Sequence, residues 1–450
     1  MVGECDIMPG EHAPASMVVL ADANNFFASC ETVFHPELAG KPVVVLSNND
    51  GCVVARSNEA KQLGIINGTP WFMIREAAER DHVIARSSNY ELYGSLSRRM
   101  MSVLSTFLPG QEVYSIDECF MRSPWDGERT RQICLAMRRT VLQGIGIPVS
   151  VGVAPTKTLA KITNHWAKRH ERSHGVTLWH DLAQSDGGAG ILASIPIEDI
   201  WGVGRRLAKR LRGIGIRQAA QLRDSDPVAM RRRFSVQLER TILELSGFPC
   251  IYDDDHAGGN TRNTELLCSR MFGEPVQGED HIVQAVSVYA QYACRRLQRQ
   301  HSLCTTVSAF CSSGNVHTGI PSAAHGSMTL PDPSDDPVII AAAARTALHG
   351  SIIPSVRYAR AGVLLTGLID ADAFHTLPTL GANSDPGLSS ALEQVNRRFG
   401  PMRVGIGCAA GIRGEGRASE EVGARWAMKR NMLSQRCTTR WEEMPVVHAN

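Results

Sequence analysis

The sequence predicts a multidomain α+β protein. A chain of 450 residues exceeds what one hydrophobic core supports. Short apolar runs alternate with amphipathic stretches through the first 180 or so residues. A second strand–helix pattern then follows a basic helical region.

From the amino end, "MVGECDIMPGEHAPAS" (1–16) has neither a basic end nor an apolar centre, so it is no secretory signal. It is expected as a disordered extension, with Met17 a possible start. The runs "MVVLA" (17–21), "PVVVL" (42–46), "EVYSI" (112–116) and "PVSVGV" (148–153) predict strands. Apolar positions at three- and four-residue spacing predict helices over 129–143 and 157–170. Residues 191–250 read as helical throughout. "SDGGAG" (185–190), "DDDHAGGN" (253–260) and "GANSDPGLSS" (381–390) mark boundaries. Beyond the second, a helix (281–300), a strand (305–310), a helix (337–348) and a strand (361–368) predict a smaller α/β domain. The tail from 385 is basic near its end and shows no core pattern.

Hydrophobic residues make up 43% and charged residues 20% of the chain, as in a soluble globular protein. No apolar run is long enough to span a bilayer, so no membrane partner is expected. Twelve cysteines without a C-x-x-C pair suggest reduced thiols and a cytoplasmic location. The series Cys294, His301, Cys304, Cys311 and His317 fits no zinc template well and reads as buried thiols and surface histidines. The net charge of +2 conceals a local excess. Residues 201–240 hold eleven Lys and Arg against three acids, the electrostatic footprint of a phosphate-backbone partner.

The stretch "VYSIDECF" (113–120) places Asp117 and Glu118 side by side in a run that otherwise favours a strand. Two such charges about 4 Å apart repel by roughly 4 kcal/mol at an effective dielectric near 20. Asp22 closes the first strand. If these strands are neighbours, three carboxylates converge at one sheet end, a cluster that a cation resolves. Hard divalent ions take such oxygen ligands, and a pair of them is the recurring device for in-line phosphoryl transfer. Surface charges at strand ends are the alternative for each acid alone. Lys157 and Lys161 follow strand 148–153 at a helix start, where they could neutralise a triphosphate or form a solvated face. "EDIWGVGRRLAKRLRGIGI" (198–216) reads as helix-hairpin-helix. Gly202 and Gly204 bracket the hairpin, and Arg205, Arg206 and Lys209 open a basic helix that grips a nucleic-acid backbone without reading its sequence.

Together these motifs resemble the Y-family translesion DNA polymerases, in particular their UmuC-like branch. The stretches that carry the resemblance include "NNFFASCETVFHPELAGKPVVVLSNNDGCVVARSNEAK", "SSNYELYGSLSRRMMS", "VYSIDECF", "VGVAPTKTLAKITNH", "WGVGRRLAKRLRGIGI" and "AMKRNMLSQRCTTR", which span about 17 to 440. It implies a right-hand polymerase with a ferredoxin-like palm (17–35 and 94–182), small fingers (36–93), a helix-hairpin-helix thumb (191–250), an α/β little finger (261–370) and a partner-binding tail (385–450). It implies error-prone translesion synthesis in the SOS response, on primer-template DNA with dNTPs. It assigns two Mg²⁺ ions to Asp22, Asp117, Glu118 and the backbone carbonyl of Ala23. Phe27 falls at the steric gate that excludes a 2′-hydroxyl. Lys61 and Lys161 fall at triphosphate contacts, with Asn58 standing where many relatives carry Tyr. Ser47, Asn48, Asn49 and Asp50 form the loop near the templating base. The family's partners are a UmuD-like dimer and a recombinase filament. "DADAFHTLPTLGANS" (370–384) lacks the glutamine lead of a sliding-clamp peptide, which leaves clamp binding open. Two rivals remain. The three acids speak against a non-catalytic relative, and a nucleotide cyclase has no use for the basic helix-hairpin-helix.

Overall fold

A computed structural model describes residues 16–184, 188–252, 262–314, 322–373, 386–399, 404–406 and 427–446. It divides into two units, one of residues 1–47, 51–257 and 432–450, the other of 48–50 and 258–431. The expected extension (1–16) lies almost wholly outside the described residues, as do the boundary at 253–260 and most of 370–384.

The first unit runs β1 (Met17–Ala23), α1 (Phe26–Phe34), β2 (Val43–Leu46), β3 (Val53–Arg56), α2 (Asn58–Gln62), α3 (Trp71–Arg80), β4 (Ile84–Ser87), α4 (Tyr90–Leu104), β5 (Glu112–Val113), β6 (Glu118–Ser123), α5 (Gly127–Ile145), β7 (Val149–Ala154), α6 (Lys157–Arg169) and β8 (Val176–Leu178). Helices α7 (Trp179–Ala183), α8 (Ala189–Ser194), α9 (Arg205–Arg212), α10 (Ala219–Arg223), α11 (Pro227–Arg233) and α12 (Val236–Leu245) follow. The main sheet is ordered β5-β6-β1-β7-β8, and a second is ordered β3-β2-β4.

Strand β1 lies between two antiparallel neighbours and is covered on both faces, which explains its continuous apolar run. Val19, Ala21 and Ala23 enter one core with Met100, Leu104 and Met137 of α4 and α5. Val18 and Leu20 enter another with Leu159 and Ala160 of α6 and Ile242 of α12. By the two-residue period of a strand, Asp22 belongs to the α6 face. Gly152 of β7 is the register partner of Leu20. A Cβ there would come within 2.3 Å of Ala160 O and 2.4 Å of Asn164 N. Its lack of a side chain therefore lets α6 press onto the sheet.

The expected strand over 112–116 is cut short at Val113. Residues 114–117 turn instead, with the amides of Tyr114 and Ser115 both donating to Glu118 O. Local turn bonding thus overrides the β propensity of Tyr114 and Ile116.

The second unit contains β9 (Leu266–Gln277), α13 (Glu279–Arg299), β10 (Ser302–Ser312), β11 (Ala323–Ser334), α14 (Pro337–Leu348), β12 (Arg357–Asp370) and α15 (Pro386–Phe399). Its sheet is ordered β11-β10-β12-β9, where the sequence predicts only β10 and β12. Helices α13 and α14 close its core through Val286, Tyr289 and Ile340. Cys294, Cys304 and Cys311 are buried there, and the thiol of Cys294 donates to Asp335 O at 2.7 Å. His317 lies outside the described residues.

The tail, which shows no core pattern in sequence, carries structure. Besides α15, residues 432–446 dock on the first unit. Ser87 and Leu433 form a parallel bridge, Met432 packs on the core of β2 and β3, and Arg436 is buried. These anchors are mainly polar and distant in sequence, so no local periodicity announces them. No helix among the described residues is long and apolar enough to cross a membrane.

Candidate active site

The backbones of the three acids lie side by side at one end of the main sheet. Asp22 and Glu118 are direct cross-strand partners, and the amide of Ala23 donates to Asp117 O at 2.9 Å. Ser115 makes the acidic hairpin tolerable. Its Oγ accepts from the amides of Asp117 (3.3 Å) and Glu118 (3.2 Å) and donates to the Asp117 carboxylate.

Helix α6 supplies the counter-charge. Lys161 Nζ reaches both Glu118 oxygens at 2.8 and 3.0 Å, and Lys168 Nζ reaches Asp22 Oδ2 at 2.6 Å. Seven residues are two helical turns, so both ammonium groups leave one face of α6. Lys161 also sits 4.5 Å over the Tyr114 ring and 5.3 Å over Trp201, whose indole N–H donates to Tyr114 Oη at 3.0 Å. Lys157 is spent on Glu112 at 2.5 Å. Burial pushes the Asp22 carboxyl above its usual range; Lys168 opposes this, while Glu118 and Asp117 add to it.

Among the described residues, no three His, Cys, Asp or Glu side chains are gathered as metal ligands. The acids of this sheet end are instead turned to lysine or serine. The donor set nonetheless fits a hard divalent cation. It offers only oxygens, and Asp22 is desolvated beside two further carboxylates.

A second cluster stands around α1. Phe26 faces the core, whereas Phe27 is half-buried, stacked on Tyr93 at 4.6 Å and 19° and set edge-on to Tyr90 at 6.0 Å. Asn25 (φ 50°) donates from Nδ2 to Asn58 Oδ1 at 2.9 Å and accepts from Lys61 Nζ at 2.5 Å. Burial lowers the Lys61 pKa, and the nearby charges of Arg56 and Lys168 lower it further. Such crowded cations suit a polyanion.

The loop expected at the templating base is used internally. Ser47 bonds Cys52. Asn49 donates to the carbonyls of Met271 (3.2 Å) and Phe272 (2.9 Å) and accepts from the Lys429 amide, and Asp50 accepts from the Asn431 amide. Asn48 lies in the same 3₁₀ turn.

In the helix-hairpin-helix region, Gly202 turns the chain at φ 84° and Gly204 caps α9. Arg205, Arg206 and Lys209 are exposed, while Ala208 and Leu211 are buried. Arg212 is paired with Glu198.

Sequence reading missed Lys168, Asn25, Ser115, Tyr93 and Trp201. The two-turn spacing from Lys161 is a signal for Lys168; the others depend on tertiary placement.

A model of the impB/mucB/samB family matches residues 21–165, its C-terminal domain 264–377, and the IMS family HHH motif 186–216. A domain of unknown function (DUF4113) matches 386–447. The chain is 39% identical to Protein UmuC of Salmonella typhimurium over 95% of this chain and 99% of that one. It is 38% identical to Protein SamB of the same organism, with the same two coverages. A Y-family DNA polymerase chimera of Dbh and Dpo4 superposes with a TM-score of 0.61 at 21% identity, over 79% of this chain and 99% of that one.

Proposed function

The chain belongs to the impB/mucB/samB family, the UmuC-like branch of the Y-family DNA polymerases, and from that premise we propose how its residues divide the work. It is a DNA-directed DNA polymerase of the translesion class. Asp22, Asp117, Glu118 and the Ala23 carbonyl hold two Mg²⁺ ions. Such a pair, held by these residues, would supply the charge that activates an attacking hydroxyl and steadies a leaving pyrophosphate. The observation that carries this reading is the cross-strand pair Asp22–Glu118, with both acids neutralised by lysines.

Those lysines sit on long, flexible stems, so cations of higher charge can replace them. Lys161 and Lys168, released from those acids, would face a triphosphate. Lys61, oriented by Asn25 beside Asn58, adds to the same positive field. Phe27, held flat on Tyr93, is the steric gate. The exposed Arg205, Arg206 and Lys209, with Gly202 and Gly204, take the DNA backbone. We assign the palm to 17–35 and 94–182, the fingers to 36–93, the thumb to 191–250 and the little finger to 261–370. Action in the SOS response, in the cytoplasm, with a UmuD-like dimer and a recombinase filament belongs to the same proposal.

Primer extension with Mg²⁺, on intact and lesion-bearing templates, tests it. The purified protein, with a UmuD-like dimer and recombinase filament supplied, extends the primer; failure under those conditions overturns the reading. DNA affinity falls steeply with salt, by about 0.9 log unit per log unit of salt for each phosphate contacted. Arg206→Ala lowers that slope by about 1, and an unchanged slope removes Arg206 from the interface.

A further inference from the structure

We propose that the C-terminal segment docked on the first unit is a brace for the sugar gate, so that residues near 434 set the discrimination between deoxyribose and ribose. The inference rests on Phe27 being the gate.

Phe27 owes its position to the Tyr93 ring, and Tyr93 is fixed at its other end. Its hydroxyl donates to Glu31 Oε1 at 2.5 Å. Glu31 is fully buried, and the same oxygen accepts from Ser434 Oγ at 3.1 Å. Among the described residues its second oxygen has no hydrogen-bond partner, and Arg86 Nε stands 3.9 Å from it. The chain Phe27–Tyr93–Glu31–Ser434 thus links the gate to the tail.

The tail also grips the start of α4, the helix that carries Tyr90 and Tyr93. Buried Asn89 caps that helix through its Oδ1. Its Nδ2 donates to Ser434 O (3.2 Å), Ser434 Oγ (3.0 Å) and Gln435 O (3.2 Å). Arg436, 4% exposed, joins Glu91 in the first turn of α4 (3.3 Å) to Glu443 of the tail (2.6 Å). The contacts converge on one platform, which a ring excluding a single hydroxyl needs, because displacement of about 1 Å relaxes such selection.

The test measures kcat/KM for a ribonucleotide and its deoxyribonucleotide in the full chain, with any partners that activity requires. It compares the parent with Ser434→Ala, Ser434→Thr and Phe27→Ala. Amide hydrogen exchange is followed in α1 and the first turns of α4. Ser434→Ala raises relative ribonucleotide use about fivefold and speeds exchange in both segments, and Ser434→Thr restores both. Discrimination unmoved in Ser434→Ala while Phe27→Ala shifts it overturns the brace and leaves the gate standing. If Phe27→Ala itself changes nothing, the gate reading has failed. The exchange data then decide the brace alone, and unchanged exchange overturns it.

Discussion

Glu118 and Glu244 are both withdrawn from water, yet their partners are of opposite kinds. Glu244 Oε2 accepts from the amide of Thr158 at 2.8 Å, and Oε1 accepts from those of Cys250 and Ile251 at 3.2 Å. Its own carbonyl accepts from Thr156 Oγ1. The three donors to the carboxylate are main chain at a helix start and after a helix end, and none can leave without local unfolding. Glu118 is held by one ammonium group at the end of a flexible stem. A carboxylate tied by backbone amides is a structural fixture, whereas one tied by a lysine is exchangeable and open to a metal or a substrate.

Replacing each acid separates the two kinds. Glu118→Ala is the largest expected effect: primer extension falls at least about 10³-fold, the several kcal/mol attributable to metal-assisted charge stabilisation. DNA binding, measured by anisotropy, persists. Retained extension would refute the assignment. Glu244→Ala inverts the pattern, costing about 2–3 kcal/mol in urea denaturation because buried amides lose their acceptor. Its rate per folded molecule stays near that of the parent.

Glu31 sharpens the contrast most gently. Burial raises its pKa in the folded protein, against weaker lowering by Tyr93 and Ser434. A folded pKa above the unfolded one gives stability that is fully present below the ordinary glutamate pKa and lost as pH rises through the raised value. Glu31→Gln therefore removes a falling slope of at most about 1.4 kcal/mol per pH unit in that window. An identical pH profile in the variant would show that Glu31 does not titrate there.

The legible parts of this molecule were those with local causes. Asp22, Asp117 and Glu118 stood out because acids interrupt apolar strands, and α6 because its period is regular. Strands β9 and β11 escaped notice because both are edge strands. Pro275 in one, and Pro331 and Pro333 in the other, suit an edge and disguise a strand. Asn25 reads as an ordinary loop residue until its left-handed backbone turns it toward Asn58 and Lys61. The tail's partners lie more than 300 residues away in sequence, as with Ser434 and Glu31, 403 positions apart. No window of sequence could pair them.

The indole of Trp201 has an optical consequence. It lies in the turn that opens the basic helix, bonded to Tyr114 and 5.3 Å from the ammonium of Lys161. Indole emission responds to nearby charge, so the protein carries a fluorophore where the hairpin of acids meets the basic helix-hairpin-helix. Nucleotide arrival that draws Lys161 away alters that emission, and Trp201→Phe abolishes the change.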